Sequence, residues 1–471
     1  MNKLCVFVTL TFAVVCIAVP LNAQPVEIEA GVPVQPNIVL IMADDLGWKD
    51  LHCYGNDRLD TPVLDQLAEQ GLLFTNAYSA SPVCTPTRAA LMTGMSPARL
   101  NITNHAPGHP PGFQKEGTSI RTADWLRHLP LERVTLAEQL RDSGYATAFV
   151  GKWHLSHRAR NAEGPTEPEL RAEHQGFDIN IGGCSFGGPP HYFEPYGIPN
   201  IEAESDGDYL PDRCARECIS FVESNKDRPF FLCWWNYSVH YPFEAPQELI
   251  EKYELREGPG CENPTYAAMI EGMDRSIGRL LARLDELDLA NDTLVIFTSD
   301  NGPFAANVDP LRAEKGYLYE GGIRVPMIVR WPGRVATGTS ATPVVTMDIH
   351  STILDVAGLA PVDENTPDGV SLTGELAQPE SLEPRDIFFH YPNYAFHKKN
   401  RPGSAIRSGN LKLIRFYDDE TIEMYDLEND ISEANNLAES RPEEAARLAS
   451  RLDDWLDSVQ ASRPERIEER P

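Results

Sequence analysis

The chain has 471 residues, of which 42% are hydrophobic and 24% charged, a composition typical of a folded globular protein and not of a disordered one. This length suits a large domain with a smaller companion. The net charge of −29 argues against nucleic acid or an anionic membrane as a partner, because both reward basic surface. Positive charge for an anionic substrate must therefore be concentrated locally.

The N-terminus has the pattern of a secretory signal peptide. One lysine precedes an apolar run from Leu4 to Pro20, and Leu21-Asn22-Ala23 follows as a cleavage-like site. We expect cleavage after Ala23, no stable membrane anchor, and export to the periplasm or the extracellular space. An uncleaved anchor is less favoured because the apolar run is short. A lipoprotein signal at Cys16 is also less favoured, because the valine before it suits that signal poorly.

Apolar runs alternate with amphipathic stretches along most of the chain. Near-continuous runs are typical of parallel strands that are covered on both faces, and they occur at 37–45, 146–154, 229–237, 293–302 and 325–333. Helical spacing of apolar residues occurs between them, at 61–71, 134–144 and 267–288. The alternation predicts an α/β fold with a large, doubly wound mixed sheet flanked by helices.

The pattern changes after residue 334. A loop-rich region contains one predicted helix at 347–358, and short strand-like pieces and a polar helix at 442–460 follow. We expect a catalytic α/β domain at 24–385 and a small C-terminal subdomain at 386–471, made of an antiparallel sheet plus a helix.

Seven cysteines follow the predicted signal peptide, an odd number that cannot all pair within one chain. Cys214 and Cys218 are four residues apart on a predicted helix and can share one face. The cysteine spacings do not match a structural zinc site. Cys84 stands out because it begins the run Cys84-Thr85-Pro86-Thr87-Arg88.

Charged and polar side chains follow three of the predicted strands at their carboxyl ends. Open α/β sheets bind ligands at that edge, so we expect these side chains to converge. They are Asp44 and Asp45, Lys152 and His154, and Asp300 and Asn301.

Asp44, Asp45, Asp300 and Asn301 offer only oxygen ligands, which favours Ca²⁺ or Mg²⁺ over zinc. The alternative is that Asp45 and Asp300 cap the segments that follow them. For four residues at two strand ends, we favour the cation.

Several cationic groups in this acidic protein indicate an anionic substrate. They are Arg88, Lys152, His154, His240 and Lys315, and Arg88 offers a planar fork of donors for an oxyanion. A hard cation surrounded by such groups fits hydrolysis of a phosphate or sulfate ester. The nucleophile is then Cys84, Thr85 or Thr87.

At this point the sequence resembles the type I, formylglycine-dependent sulfatases of the alkaline phosphatase superfamily. CTPTRAALMTG (84–94) fits their C-x-P-x-R-x-x-L-x-T-G signature, and GYATAFVGKWH (144–154) fits their second signature. The blocks at 44–45, 300–302 and 315–326 occur in the family's order, and the resemblance extends over roughly residues 36 to 430.

The resemblance implies that a maturation enzyme oxidises Cys84 to Cα-formylglycine. The hydrated aldehyde would attack sulfur through one oxygen, and its second hydroxyl would release the sulfate by re-forming the aldehyde. The thiol itself would never be the nucleophile.

The resemblance also implies a role for each matching residue. Asp44, Asp45, Asp300 and Asn301 would bind the cation together with residue 84, with Ca²⁺ favoured over Mg²⁺. Arg88 would stabilise the diol, His154 would deprotonate it, and Lys152 would bind sulfate. His240 and Lys315 would face the sulfate and the leaving group, with His240 as general acid.

Three loops are candidates for substrate recognition: 103–112, 182–197 and 390–407. Within and beside them, His105, His397 and Arg401 are the candidate contacts. Export favours a sulfated carbohydrate as substrate. The alternatives are a metal-dependent phosphatase or phosphodiesterase of the same superfamily, and a non-catalytic carbohydrate-binding homologue.

Overall fold

The computed structural model describes residues 35–158, 164–306, 308–362, 367–395 and 400–467. The predicted signal peptide and His397 lie outside these residues. Within them, no helix is both long and apolar enough to cross a membrane.

The strands of the described residues form one large sheet, one small sheet and a two-stranded ribbon. In chain order they are β1 (Asn37–Ala43), β2 (Leu72–Tyr78), β3 (Ile120–Arg121), β4 (Ala146–Gly151), β5 (Ile179–Ile181), β6 (Phe230–Trp235), β7 (Thr293–Ser299), β8 (Arg324–Arg330), β9 (Gly338–Ser340), β10 (Val344–Val345), β11 (Asp386–Tyr391), β12 (Gly403–Ser408), β13 (Leu411–Phe416), β14 (Ile422–Asp426) and β15 (Glu465–Arg466).

The helices lie between these strands. They are α1 (Pro62–Glu69), α2 (Cys84–Thr93), α3 (Pro97–Leu100), α4 (Leu136–Asp142), α5 (Leu210–Asn225), α6 (Gln247–Glu254), α7 (Pro264–Glu286), α8 (Glu320–Ile323), α9 (Thr346–Val356), α10 (Thr373–Ala377) and α11 (Pro442–Ser458). Each helix predicted from apolar spacing is present, with ends shifted by a few residues.

The large sheet has the order β10-β2-β8-β7-β1-β6-β4-β5, with β9 beside β2. The central strands β7, β1, β6 and β4 are mutually parallel, so their carboxyl ends share one edge. Alternate residues of β1 pack into two different cores: Val39 and Ile41 into one, and Ile38 and Leu40 into the other. The sheet is therefore covered on both faces, and the predicted mixed α/β fold is confirmed.

The apolar run of β8 favours a parallel strand, but β8 is antiparallel to its neighbours. β8 runs antiparallel to both β7 and β2, although every residue of β8 is buried. A continuous apolar run reports burial on both faces and carries no information on strand direction. β2 was absent from the strands predicted, because it carries Thr75 and Asn76 in its middle.

The small sheet, β11-β12-β13-β14, is antiparallel and packs between α11 and the large domain. On one face Ile406 and Leu413 contact the α11 residues Leu448 and Leu452. On the other face Ala405 and Ile414 join a core that includes residues of α2, α8 and α9. The C-terminal sheet thus covers the helix that begins at Cys84.

Candidate active site

The residues predicted from strand ends meet at one edge of the large sheet. Asp44 and Asp45 follow β1, Lys152 and His154 follow β4, and Asp300 follows β7. Because β7, β1, β6 and β4 are neighbouring parallel strands, their carboxyl ends deliver these side chains to one place. Arg88 and Lys315 reach the same place from α2 and from the loop before α8.

Each of the three carboxylates is held by its own cation. Lys152 Nζ lies 2.6 Å from Asp44 Oδ2, and Lys315 Nζ lies 2.6 Å from Asp45 Oδ1. Arg88 donates from Nε and Nη2 to Asp300 Oδ2, at 2.9 and 2.7 Å. These side chains are at most 4% exposed, so the pairs are only weakly screened by solvent.

The carboxylates differ in pKa because burial and neighbouring charges compete. Burial raises the pKa of Asp44 well above its usual range, and the like charges of Asp300 and Asp45 raise it further. Lys152 lowers this pKa but does not overcome these effects. Burial also acts to raise the pKa of Asp45, but Lys315 and His240 outweigh it and the pKa falls. Arg88 and Lys152 likewise hold the pKa of Asp300 below its usual range, against the effect of burial.

The cluster retains oxygen atoms that accept no hydrogen bond. Asp44 Oδ1 and Asn301 Oδ1 are buried and accept no hydrogen bond, although Asn301 Nδ2 donates to Asp45 Oδ1 at 2.7 Å. Buried oxygens of this kind are costly unless a ligand satisfies them. Carboxylate oxygens of Asp44 and Asp45 and a ring nitrogen of His240 also lie within 4.8 Å of one another. The donor set fits a hard cation, with His240 as a neighbour that the predicted ligand set did not include.

Cys84 is the first residue of α2 and is 2% exposed. Burial raises the pKa of its thiol, and Lys152 and Lys315 act in the opposite direction without overcoming it. The thiol is therefore neutral near pH 7 and a poor nucleophile as it stands. The Arg88 guanidinium, four residues further along the helix, lies 5.3 Å from the Trp235 ring.

Each histidine has one ring nitrogen committed to a backbone carbonyl. His154 Nε2 donates to Ala106 O at 2.5 Å, which leaves Nδ1 as the acceptor, 3.4 Å from Thr85 Oγ1. His240 Nδ1 donates to Tyr241 O at 2.6 Å. His240 Nε2 then lies 3.7 Å from Asp45 Oδ2. Both working nitrogens thus remain available for proton exchange.

Both imidazoles are neutral near pH 7. Burial, together with the charge of Lys152, lowers the pKa of His154 well below its ordinary value. Burial also lowers the pKa of His240 to about 3, although Asp45 acts to raise it. The two rings can therefore accept a proton, and His240 can donate one only after negative charge arrives beside it.

The structure places the candidate substrate residues differently. His105 is half-buried beside Asn104, directly before the carbonyl that accepts from His154. Arg401 is paired with Asp418 at 2.7 Å and lies over the Phe416 ring. His397 lies outside the described residues, and a substrate contact by His105 or Arg401 stays a prediction.

Sequence patterns missed Tyr266 and Trp235, which support the site, and named Thr85 only as an alternative nucleophile. Tyr266 Oη lies 3.1 Å from Asp45 O and 2.5 Å from Asp50 Oδ2. Thr85 Oγ1 accepts from Ala106 N and contacts His154. Trp235 is the last residue of β6, so a search of strand ends that included uncharged residues would have found it. No local pattern points to Tyr266.

Seven cysteines of the described residues are free thiols, and all but the half-buried Cys53 are buried. Cys214 and Cys218 lie on α5 as expected and do not form a disulfide. Burial raises the pKa of both thiols, which suits unreactive core residues.

Comparison with known proteins identifies the relatives of this chain. Residues 36–359 match the family model described as Sulfatase, and residues 313–462 match the model described as N-sulphoglucosamine sulphohydrolase, C-terminal. Human arylsulfatase A is 35% identical over 413 residues, which cover 80% of this chain and 74% of that protein. Human N-acetylgalactosamine-6-sulfatase is 33% identical, covering 77% of this chain and 69% of that protein.

Solved structures give the same relationship. Ps i-CgsB, crystallised in complex with k-i-k-neocarrahexaose, is 28% identical with a TM-score of 0.74. The match covers 90% of this chain and 93% of that one. The likeness therefore extends over most of the chain.

Proposed function

This chain belongs to the sulfatase family and hydrolyses sulfuric esters, and on that premise we propose that it removes sulfate from a carbohydrate with a formylglycine made from Cys84 and a bound divalent cation. The observation that carries this proposal is the position of Cys84. It begins α2 inside a buried cluster of three carboxylates and three cations, where Lys152 and Lys315 act on its pKa.

The cation would be held by Asp44, Asp45, Asp300 and Asn301 together with residue 84. Support comes from the two buried oxygens that accept no hydrogen bond, on Asp44 and Asn301. When bound, a divalent cation withdraws charge from oxygen and stabilises an anion beside it. Oxygen ligands favour Ca²⁺, with Mg²⁺ second.

Formylglycine at position 84 would supply a geminal diol, whose one oxygen attacks sulfur and whose other hydroxyl permits release of the sulfate. A buried neutral thiol supports this reading, because it is a poor nucleophile without modification. Arg88 is fixed by Asp300 and would stabilise negative charge on the oxygens of residue 84. Making the aldehyde requires a formylglycine-generating maturation enzyme as a partner.

His154 is positioned as a general base. Its Nε2 proton is committed to Ala106 O, so the ring accepts a proton only at Nδ1, on the side of Thr85 at the start of α2. Its lowered pKa keeps it unprotonated and ready to accept. Lys152, which is fully buried beside Asp44, would contribute positive charge to the sulfate pocket.

His240 is positioned as the general acid for the leaving group. Its Nδ1 proton is committed to Tyr241 O, so proton exchange occurs at Nε2, beside Asp45. A bound sulfate ester adds negative charge and raises the pKa of this ring, which allows it to carry the proton that the leaving alcohol needs. Lys315 would bind a sulfate oxygen from the same side.

A carbohydrate substrate is supported by the relatives. One relative is named N-acetylgalactosamine-6-sulfatase, and another was crystallised with k-i-k-neocarrahexaose. The predicted signal peptide supports export to the periplasm or the extracellular space, where the protein would meet sulfated polysaccharides. His105 is our first candidate for a sugar contact because it adjoins the Ala106 carbonyl that holds His154.

Mass spectrometry of tryptic peptide 59–88 tests the central claim. Protein matured in its host should carry the aldehyde at residue 84, with a mass lower than the thiol peptide. Cys84→Ser should keep its fold and lose at least about 1,000-fold in turnover, because a serine has no second hydroxyl to expel the sulfate. Cys53→Ser, outside the cluster, is the matched control and should remain active.

An active preparation with an unmodified thiol would overturn the formylglycine mechanism. Repeated turnover by Cys84→Ser at near the rate of the unsubstituted protein would do the same. A panel of sulfated mono- and disaccharides beside 4-nitrophenyl sulfate tests the substrate class, and a preference for the aryl ester would contradict a carbohydrate substrate.

The phosphatase alternative is less supported. A phosphatase of this superfamily would have a serine or threonine where this chain has Cys84 in a complete maturation signature. The described residues also group into a single candidate cation cluster. The non-catalytic alternative is less supported because Arg88, Lys152 and Lys315 are each paired with a carboxylate at one buried site.

A further inference from the structure

A glycine-rich segment passes across both proposed catalytic histidines. We call residues 184–192, CSFGGPPHY, the glycine strap. One end is tied to His154, whose backbone N–H donates to Cys184 O at 2.9 Å. The other end is tied to His240, whose carbonyl oxygen lies 2.8 Å from Tyr192 Oη. The strap therefore spans the two loops that carry the histidines.

Further contacts fix both ends of the strap. Ser185 N donates to Glu167 Oε1 at 3.0 Å, and Tyr192 N donates to Glu244 Oε2 at 2.7 Å. Leu210 N donates to Tyr192 O at 2.8 Å, which joins the strap to the start of α5. With its ends held, the middle of the strap cannot move away from the histidines without breaking these bonds.

The middle of the strap has no room for side chains. A Cβ atom on Gly187 would lie 2.9 Å from both Cε1 and Nε2 of His154, and a Cβ atom on Gly188 would lie 2.5 Å from Nδ1 of His240. Contacts this short require the neighbour to move. Neither glycine has a φ angle in the left-handed region, so the requirement is for space and not for backbone freedom.

The strap contacts the same part of each ring. On His154 it meets the side of Nε2, the nitrogen committed to Ala106 O, and on His240 it meets the side of Nδ1, the nitrogen committed to Tyr241 O. The other nitrogens, His154 Nδ1 and His240 Nε2, remain directed to Thr85 and Asp45. Each ring is thus enclosed on its committed side and open on its working side.

We propose that Gly187 and Gly188 are positioning residues that hold the two imidazoles in place through direct backbone contact, Gly187 for His154 and Gly188 for His240. This inference rests on the roles given to these histidines in the proposed function. A methyl group at either position would displace one ring by pushing it towards the charge cluster, and a displacement of about 1 Å can cost about 100-fold in rate.

The two positions predict different defects. Gly188→Ala should lower kcat about 10- to 100-fold on a sulfated sugar, because a sugar alcohol needs a proton to leave. The same variant should be nearly unaffected on 4-nitrophenyl sulfate, whose leaving group departs as an anion. Gly187→Ala should slow both substrates alike, since His154 acts on residue 84 and not on the leaving group.

Gly374→Ala is the matched control, because among the described residues outside its own helix a Cβ there would meet only Ser381 Oγ, at an ordinary contact distance of 3.8 Å. It should leave both activities unchanged. Thermal unfolding of all three variants checks the fold. Equal losses on the sugar and on the aryl ester for Gly188→Ala would overturn the assignment of Gly188 to His240.

A double-mutant cycle separates positioning from general damage. Gly188→Ala introduced into His240→Ala should cause no further loss, because the ring that the methyl group displaces is already gone. An additional loss of the same size in both backgrounds would overturn the proposal. If His240→Ala itself keeps full activity on the sugar, the proposed general acid fails, whatever the glycine variants do.

Discussion

Two buried charge clusters lie close together in the chain and differ in how their oxygen atoms are satisfied. The active-site cluster contains Asp44, Asp45, Asp300, Arg88, Lys152 and Lys315. The second cluster, which we call the junction cluster, joins the large and small sheets and contains Tyr78, Glu320, Arg324, Arg407, Lys412 and Glu433. Lys315 and Glu320 are only five residues apart, so one segment supplies both.

In the junction cluster every carboxylate oxygen lies within 3 Å of a cation or a hydrogen-bond donor, although Glu433 Oε1 meets Lys412 as an ion pair and accepts no hydrogen bond. Lys412 Nζ lies 2.9 Å from an oxygen of Glu320 and 2.9 Å from one of Glu433. The other Glu320 oxygen accepts from Tyr78 Oη at 2.7 Å, and the other Glu433 oxygen accepts from the Glu320 backbone N–H at 2.7 Å. Each oxygen of this cluster thus already has a cation or a donor close to it.

In the active-site cluster, which is equally buried, the nearest cation to Asp44 Oδ1 is Arg88 Nη2 at 3.7 Å, and Oδ1 of the adjoining Asn301 accepts no hydrogen bond. The comparison indicates that burial and charge alone do not mark a functional site. The distinguishing feature is the distance to the nearest cation or donor, because a buried acceptor without a close partner is costly unless a ligand satisfies it.

Removal of the cation should give the largest effect. After exhaustive chelation we expect the hydrolysis of sulfate esters to fall by orders of magnitude and to return with Ca²⁺, and less with Mg²⁺. Saturation at 100 times Kd should also stabilise the fold by about 2.7 kcal/mol, measured as a rise in Tm.

Calorimetric titration with Ca²⁺ gives a readout independent of activity. Asp300→Asn should weaken binding, whereas Lys412→Met in the junction cluster should leave the affinity unchanged. Two outcomes would contradict this difference between the clusters. One is activity that does not change after chelation, and the other is a Ca²⁺ affinity that Lys412→Met weakens as much as Asp300→Asn does.

Substitution in the junction cluster should act on stability. Lys412→Met removes the cation shared by Glu320 and Glu433 and leaves two buried carboxylates without it. We expect the free energy of unfolding in urea to fall by about 3–5 kcal/mol. The kcat of the folded fraction should change little, because Lys412 contacts none of the active-site side chains.

Lys226→Met, at an exposed lysine after α5, is the control for this measurement and should change stability by less than about 0.5 kcal/mol. A Lys412→Met protein that is as stable as the unsubstituted chain would show that the junction cluster contributes nothing net.

The pH dependence of stability should show the protonation of Glu433. Burial raises the pKa of Glu433 from its ordinary value of 4.5 to about 7, because Lys412 is shared and Glu320 adds like charge. Between these two values the folded state binds a proton that the unfolded state has released. This contribution to stability is therefore complete below pH 4.5 and is lost as the pH rises through 7.

Glu433→Gln removes this titration. The free energy of unfolding of the unsubstituted protein, relative to that of the variant, should fall by up to about 3 kcal/mol across that pH window. Glu428→Gln, at an exposed position five residues before Glu433, should leave the pH profile of stability unchanged. A difference between the two proteins that rises with pH would reverse the sign and contradict the assignment.

Much of the fold could be predicted because burial leaves a local record. The runs that became β1, β4, β6 and β7 are mostly apolar, and every residue in them is buried, because both faces of the sheet are covered. β2 left no such record, since its middle residues Thr75 and Asn76 are partly exposed. The direction of β8 was also not readable, because direction depends on which connection the chain takes.

The candidate site was predictable where residues adjoin strand ends or match a signature. Asp44, Lys152 and Asp300 lie one residue after their strands. His240 lies five residues beyond β6, so the strand-end rule does not reach it; only its residue type and the resemblance suggested it. Nothing local distinguished the junction cluster from the active site, since Glu320 and Lys315 belong to the same sequence block.

By itself the sequence determined the α/β layers, the edge at which the polar groups meet and the special status of Cys84, because periodicity, strand ends and signatures are properties of neighbouring residues. Only the tertiary structure decided which cation pairs with which carboxylate, which oxygens accept no hydrogen bond, and that Gly187 and Gly188 enclose the two histidines. These features depend on contacts between segments far apart in the chain. Packing sets such contacts, and local pattern does not encode them.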